Sequence, residues 1–239
     1  MRIFDRTGSE TGNMIRNVTL EEISDGRLYG LNDMVKAGCD DCQGCFACCC
    51  GMGSSIVLDP YDMHRLTRGL GQTAAQLLAD KLELNVVDGI VQPNIRMGGE
   101  YDGRCGFLNA GGRCSIHPYR PGICRLFPLG RYYDEDGSFQ YFLQTHECRK
   151  EKRTKVKVRR WIDTPDAERY DAFVKDWHGF LKLLQGKLTD KNAKSISMMV
   201  LQQFYLTPYG EEMEPENGFY PVFYERLKQA KSLVEEGCV

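Results

Sequence analysis

Six of the twelve residues from Cys39 to Cys50, CDDCQGCFACCC, are cysteine, and Cys39, Cys42, Cys45 and Cys48 recur at every third position. Thiolates are strong ligands for zinc and for iron in sulfur clusters, and two-residue spacers let successive sulfurs converge on one centre. Core packing accounts for scattered buried cysteines, not for this density. Disulfides need separated partners and an oxidising compartment. The run therefore reads as a metal site. Gly44, Gly51 and Gly53 allow the backbone to turn tightly against such a centre.

Four more cysteines, Cys105, Cys114, Cys124 and Cys148, lie further along, and the eleventh, Cys238, reads as a thiol outside the site. Cys114 and Cys124 bracket SIHPYRPGI, where Pro118 and Pro121, with Pro128 beyond, fix the backbone as a ligand-presenting loop requires. Arg120 and Arg125 flank the same cysteines. A metal held by four thiolates carries net negative charge, which a nearby guanidinium would offset. Two ordinary surface arginines are the alternative. His117 and His146 lie close to Cys114 and Cys148 and are secondary ligand candidates, whereas His64 and His178 fall on predicted helices.

CQGCFACC from Cys42, CGFL from Cys105 and CSIHPYRPGICRLFPL from Cys114 resemble the YkgJ-type cysteine-cluster family, described as a zinc- or iron-chelating domain with the signature CxxCxxCC. The resemblance spans residues 39–150 and implies metal binding by Cys42, Cys45, Cys48, Cys49, Cys105, Cys114, Cys124 and Cys148. It implies no particular reaction and does not reach the C-terminal helices. Eight thiolates make two sets of four, and adjacent Cys48 and Cys49 diverge, so two centres or one extended cluster are favoured over a single ion. A cysteine triplet completed by a distant fourth is how bacterial ferredoxins hold a cubane, although the local fourth cysteine and its proline are missing here. An iron–sulfur cluster of the 4Fe–4S type, with a redox or catalytic role, is favoured over zinc. A zinc-binding structural or interaction module is the alternative. Flagellin lysine N-methylases carry a similar cluster, which adds S-adenosylmethionine-dependent lysine methylation by analogy. Neither the radical-SAM spacing CxxxCxxC nor a glycine-rich nucleotide fingerprint is present.

The elements that must position these residues are legible in outline. Thr19 with Glu22, and Thr73 with Gln76, form capping boxes, and Asp59-Pro60 reads as a helix start running to Gly69. The second box opens a helix through AAQLLADKLEL. LNVV and IVQ around Asp88-Gly89 predict a hairpin with a type I′ turn. CGFLN and RCSIH predict a second hairpin, and RYYDEDGSFQYFLQ a third. Tyr170, Phe173, Val174, Trp177, Leu181 and Leu184 recur at helical spacing, with further helices predicted over 195–206 and 223–236. The predicted class is α+β: an arm over 1–18, a metal-stapled cysteine-cluster region over 19–150, and a packed helical layer over 151–239.

A net charge of −2 over 239 residues argues against coating nucleic acid, and a strand with one solvated face explains the basic run RKEKRTKVKVRR as well as an RNA or acidic-partner contact does. No segment reaches the length of a membrane span. The expected setting is cytoplasmic, with an electron-transfer or protein partner. No Ser-His-Asp set or HExxH supports hydrolysis.

Overall fold

The computed structural model describes residues 19–39, 45–98, 103–148, 150, 152–210 and 218–237. The predicted arm, Cys42, Gly44 and Cys238 lie outside these residues. The fold is α+β.

A capping box at Thr19 opens a single helical turn, α1 (Leu20–Ile23), which leads into β1 (Ser24–Tyr29) and β2 (Met34–Gly38). Beyond the cysteine run, α2 (Pro60–Leu70) starts at the Asp59 N-cap with proline in its first turn. It passes through Gly69 and ends at Gly71, which takes the left-handed conformation with φ 63°. Gly69 serves packing instead. A Cβ there would lie 2.4 Å from the Tyr119 ring, so the missing side chain seats that ring.

The second capping box opens α3 (Ala74–Asp80), shorter than predicted because LEL turns into β3 (Leu82–Val87). β4 (Ile90–Ile95) pairs with β3 across Asp88 and Gly89, both with positive φ, as the sequence predicts. The second predicted hairpin is only a tight turn: Leu108 and Cys114 form an isolated bridge closed by Asn109 N–H to the Arg113 carbonyl at 2.9 Å. Then come α4 (Gly122–Leu126), β5 (Leu129–Tyr133) and β6 (Phe139–Gln144), the last two being the third predicted hairpin. The basic run forms β7 (Thr154–Lys157) and then turns helical in α5 (Val158–Ile162). The strands make an antiparallel β1-β6-β5 sheet and two pairs, β2-β7 and β3-β4.

Three longer helices complete the chain: α6 (Ala167–Lys187), α7 (Ala193–Val200) continued by a π-helical turn over Leu201–Leu206, and α8 (Phe219–Glu235). α8 starts earlier than predicted, with Pro221 inside its first turn, where no intrahelical N–H bond is lost. Its stripe and that of α6 meet in an aromatic core: Phe173 stands 4.7 Å from Phe223, and Tyr61 from α2 stands 5.1 Å from Phe219. This core also takes Leu82, Ile90, Ile116 and Phe107, so one apolar cluster serves residues on both sides of 150. A smaller cluster lies under the three-stranded sheet, around Val35, Leu129, Tyr141 and Val158. Among the described residues no helix is long and apolar enough to cross a membrane.

Candidate metal centre

The cysteine run contains little regular structure and is held by backbone bonds to a second strand segment. Ala47–Cys49 form one turn of 3-10 helix, closed by Cys49 N–H to the Phe46 carbonyl at 2.9 Å. Cys50 then bridges to Arg104, the Gly51 amide donates to Gly103 at 2.8 Å, and the Cys105 amide donates to the Cys49 carbonyl at 2.8 Å. Gly51 and Gly53 adopt φ of 68° and 51°, which lets the chain leave the run in a sharp bend. Buried Met52 and Ile56 anchor that exit in the main core. From Cys105 the chain bridges back to Met97 and, through Leu108, to Cys114. The proline-rich loop then delivers Cys124 on α4.

Six nominated cysteines, Cys45, Cys48, Cys49, Cys105, Cys114 and Cys124, line one cavity of about 240 Å³. Their thiols feel one another. A hydrogen bond with Cys48, then burial, then the charges of Cys48, Cys105 and Cys124 push the Cys49 thiol far up. Burial raises Cys105 to about 11, helped by Cys114, Cys48 and Cys50. Burial also raises Cys114, where Arg120 acts in the opposite sense, and holds Cys124 well above its ordinary value, with Cys105, Cys48 and Cys114 adding to the effect. Sulfurs gathered this way resist ionising together. A bound cation reverses that balance, because the proton lost from each thiol is replaced by the metal. The donor set fits a thiophilic metal.

The convergence is incomplete. Among the described residues, no group of three or more His, Cys, Asp or Glu side chains stands close enough to hold a metal ion. Cys148 is half-buried after β6 and does not line the cavity, nor do Cys39, at the end of β2, and Cys50. His117 lines it, whereas His146 is exposed and stands apart. His64 is buried against Phe219 and Tyr209, and His178 stacks on Tyr133 at 4.0 Å along the cavity wall.

The two arginines separate. Arg120 lines the cavity, donating from Nε to the His117 carbonyl at 3.1 Å. Arg125 is buried and turned toward two carboxylates: its Nη2 stands 3.6 Å from Asp62 and its Nη1 donates to Thr164 Oγ1 at 2.9 Å. Sequence alone marks Asp59 as a helix cap and gives Asp62 no role. Both carboxylates border the cavity. Asp59 accepts from the Asp62 amide at 2.7 Å and the Tyr170 hydroxyl at 3.0 Å. Asp62 accepts from the Gly122 amide at 2.7 Å and from the Asp59 amide at 3.2 Å. Burial first, then the Asp59 charge, lifts Asp62 to about 7. The signal that could have found the pair is the spacing D-P-Y-D, a capping box with aspartate at its third position.

Comparison with family models matches residues 41–158 to the CxxCxxCC family, described as "Putative zinc- or iron-chelating domain". Over that segment, just under half of the 239 residues, the chain is similar to a CxxCxxCC domain. The matched segment contains the cavity cysteines, α2 to α4 and the three-stranded sheet's β5 and β6, and it ends as α5 begins. Comparison with curated proteins and with solved structures returns no match. The similarity thus covers the cysteine cluster, while α6 to α8 lie beyond the matched segment and supply the core against which it packs.

Proposed function

We propose that the chain holds an iron–sulfur cluster, with ligands drawn from Cys45, Cys48, Cys49, Cys105, Cys114 and Cys124, and that the cluster has a redox or catalytic role in the cytoplasm. The observation that carries this reading is that six cysteines from two chain segments border one cavity of about 240 Å³. A zinc ion with four thiolates fills its own coordination sphere, and structural zinc sites are closed. A wall bearing more than four sulfurs, open to a cavity, suits a larger inorganic centre and a space beside it for a reactant. When bound, such a cluster supplies one-electron chemistry at a potential set by charge, hydrogen bonding and burial.

The chain's own residues make the site workable. The thiols ionise as they take up metal. Arg120 places a guanidinium near Cys114 and offsets the negative charge that the sulfurs bring. Met52, Ile116 and Leu126 keep the interior of the wall apolar and limit water. A protein partner delivers or accepts the electron.

A zinc-stapled interaction module is the second reading, favoured by one observation: Cys105 and Cys114 are joined through the tight turn at Leu108, the way paired zinc ligands are presented. The test is anaerobic reconstitution with iron and sulfide, followed by absorption and electron paramagnetic resonance spectra. A reducible cluster signal supports the first reading. A colourless protein that keeps zinc decides for the second.

A further inference from the structure

Arg131, on β5, makes no contact ion pair among the described residues, and the carboxylates whose charge reaches it, Asp171 and Asp59, act from further off. Arg131 lines the cavity, yet its Nε has no hydrogen-bond partner. Its guanidinium lies 5.4 Å from the Phe139 ring centre and 5.8 Å from that of Tyr170, and it interacts with Tyr133 and Tyr141. Asp171, which lies in its field, is occupied by the Tyr141 hydroxyl at 2.5 Å. Two of the carboxylates that share the cavity are occupied too. Asp59 is held by Tyr170 and the Asp62 amide, and Asp62 by Arg125 and the Gly122 amide. Lys182, on α6, also borders the cavity and forms no ion pair among the described residues. Arg131 thus has tyrosine partners but no carboxylate bonded to it among the described residues, and its Nε stays unbonded.

Arg131 is half-buried with its Nε out of reach of water, and a guanidinium partly withdrawn from water is stabilised by a partner that brings negative charge. A planar guanidinium takes a carboxylate through two parallel N–H bonds. The rest of the nearby wall is apolar and aromatic, with Phe142, Val174, Trp177 and Leu181. Binding pockets of this kind bury an apolar body and fix it by a few polar groups. We propose that the cavity binds a small organic carboxylate, the acid end held by Arg131 and the body laid against the aromatic wall. This goes beyond the metal reading and does not depend on it, since none of these residues is a thiol.

The chain has two tryptophans, Trp161 and Trp177, and both line the cavity, so intrinsic fluorescence reports on its contents. The experiment titrates the intact protein, with whatever metal it carries, using phenylacetate, neutral phenylacetamide of the same shape, and inorganic phosphate. Calorimetry runs alongside, and metal content is measured on the same preparation. The expected result is saturable binding of phenylacetate, with phenylacetamide about tenfold weaker or worse. Arg131→Met should cost phenylacetate about the same factor and leave the amide unchanged, while Arg131→Lys should retain part of the affinity. If Arg131→Met fails to fold by circular dichroism, the acid-to-amide ratio on the native protein and on Lys182→Met decides. Equal affinity for acid and amide, no saturable binding of phenylacetate, or binding of phosphate alone would overturn the proposal.

Discussion

The Cys105 amide donates to the Cys49 carbonyl across 2.8 Å, so the backbone itself brings the cysteine-rich run beside the second group of cysteines. Through Leu108 the same strand segment bridges to Cys114, and the loop beyond delivers Cys124 to the cavity that Cys45 and Cys48 also border. Cys148 is left apart from it. Cys124→Ser is therefore expected to lose most of the bound metal, and Cys148→Ser to keep most of its own. Metal per chain after purification without oxygen checks this. Equal losses in the two variants would put Cys148 among the ligands.

The separation of Arg120 from Arg125 gives a second contrast. Arg125 is buried, paired with Asp62 and bonded to Thr164, so Arg125→Met leaves a buried carboxylate uncompensated. The expected cost is about 3–5 kcal/mol by denaturant unfolding. Arg120→Met should change stability little and weaken metal retention by about tenfold or more, as loss of an outer partner does. Chelator competition measures the second effect. Similar stability losses in both variants would remove the distinction.

Much of this architecture is legible in the sequence, and the exceptions have causes. Capping boxes, the Asp88-Gly89 turn and the α6 stripe are local signals, and each appears where its residues predict. The end of α2 is misplaced because Gly69 serves packing against Tyr119, a long-range demand invisible in a window of sequence. The cysteines announce themselves by type, and their grouping follows from hydrogen bonds between segments far apart in the chain. Asp62 and Arg131 stay hidden for the same reason. An aspartate in a helix and an arginine ahead of two tyrosines look like surface residues until the fold buries Asp62 beside Asp59 and Arg125 and sets Arg131 among Tyr170, Tyr133 and Tyr141.

Gly122 tests the packing between α4 and the acid pair. A Cβ there would lie 2.1 Å from the Tyr170 hydroxyl. Gly122→Ala should destabilise by about 1–3 kcal/mol, the cost of overpacking. Adding Tyr170→Phe removes the obstructing oxygen, so the double variant should lose less than the sum of the two single losses. Thermal and denaturant unfolding of all four proteins form the cycle. Strict additivity would mean that the two residues do not meet.

His64 should make part of the stability depend on pH. Burial first, then Arg68 and Arg65, lowers it to about 4 from its ordinary 6.5. Between those values the unfolded chain binds the proton and the folded chain does not. The stability is thus present above about 6.5 and lost as the pH falls toward 4, by up to about 3 kcal/mol. Asp62 acts in the opposite sense: raised to about 7, it keeps its proton when folded, and its contribution falls as pH rises from about 4 to 7. The difference between the parent protein and His64→Phe, measured from pH 4 to 7, isolates the histidine. A difference that does not vary with pH over that window would contradict the assignment.

Whether the cysteines of the CxxCxxCC-like segment hold iron with sulfide is tested most directly by one elemental measurement. Iron, zinc and acid-labile sulfide are quantified on the chain purified without oxygen, alongside Cys105→Ser prepared in the same way. The expected result is a brown protein with iron and sulfide in near-equal amounts, both falling together in the variant. Zinc without sulfide, persisting after iron and sulfide reconstitution, would contradict the iron–sulfur assignment, and so would a protein holding neither metal.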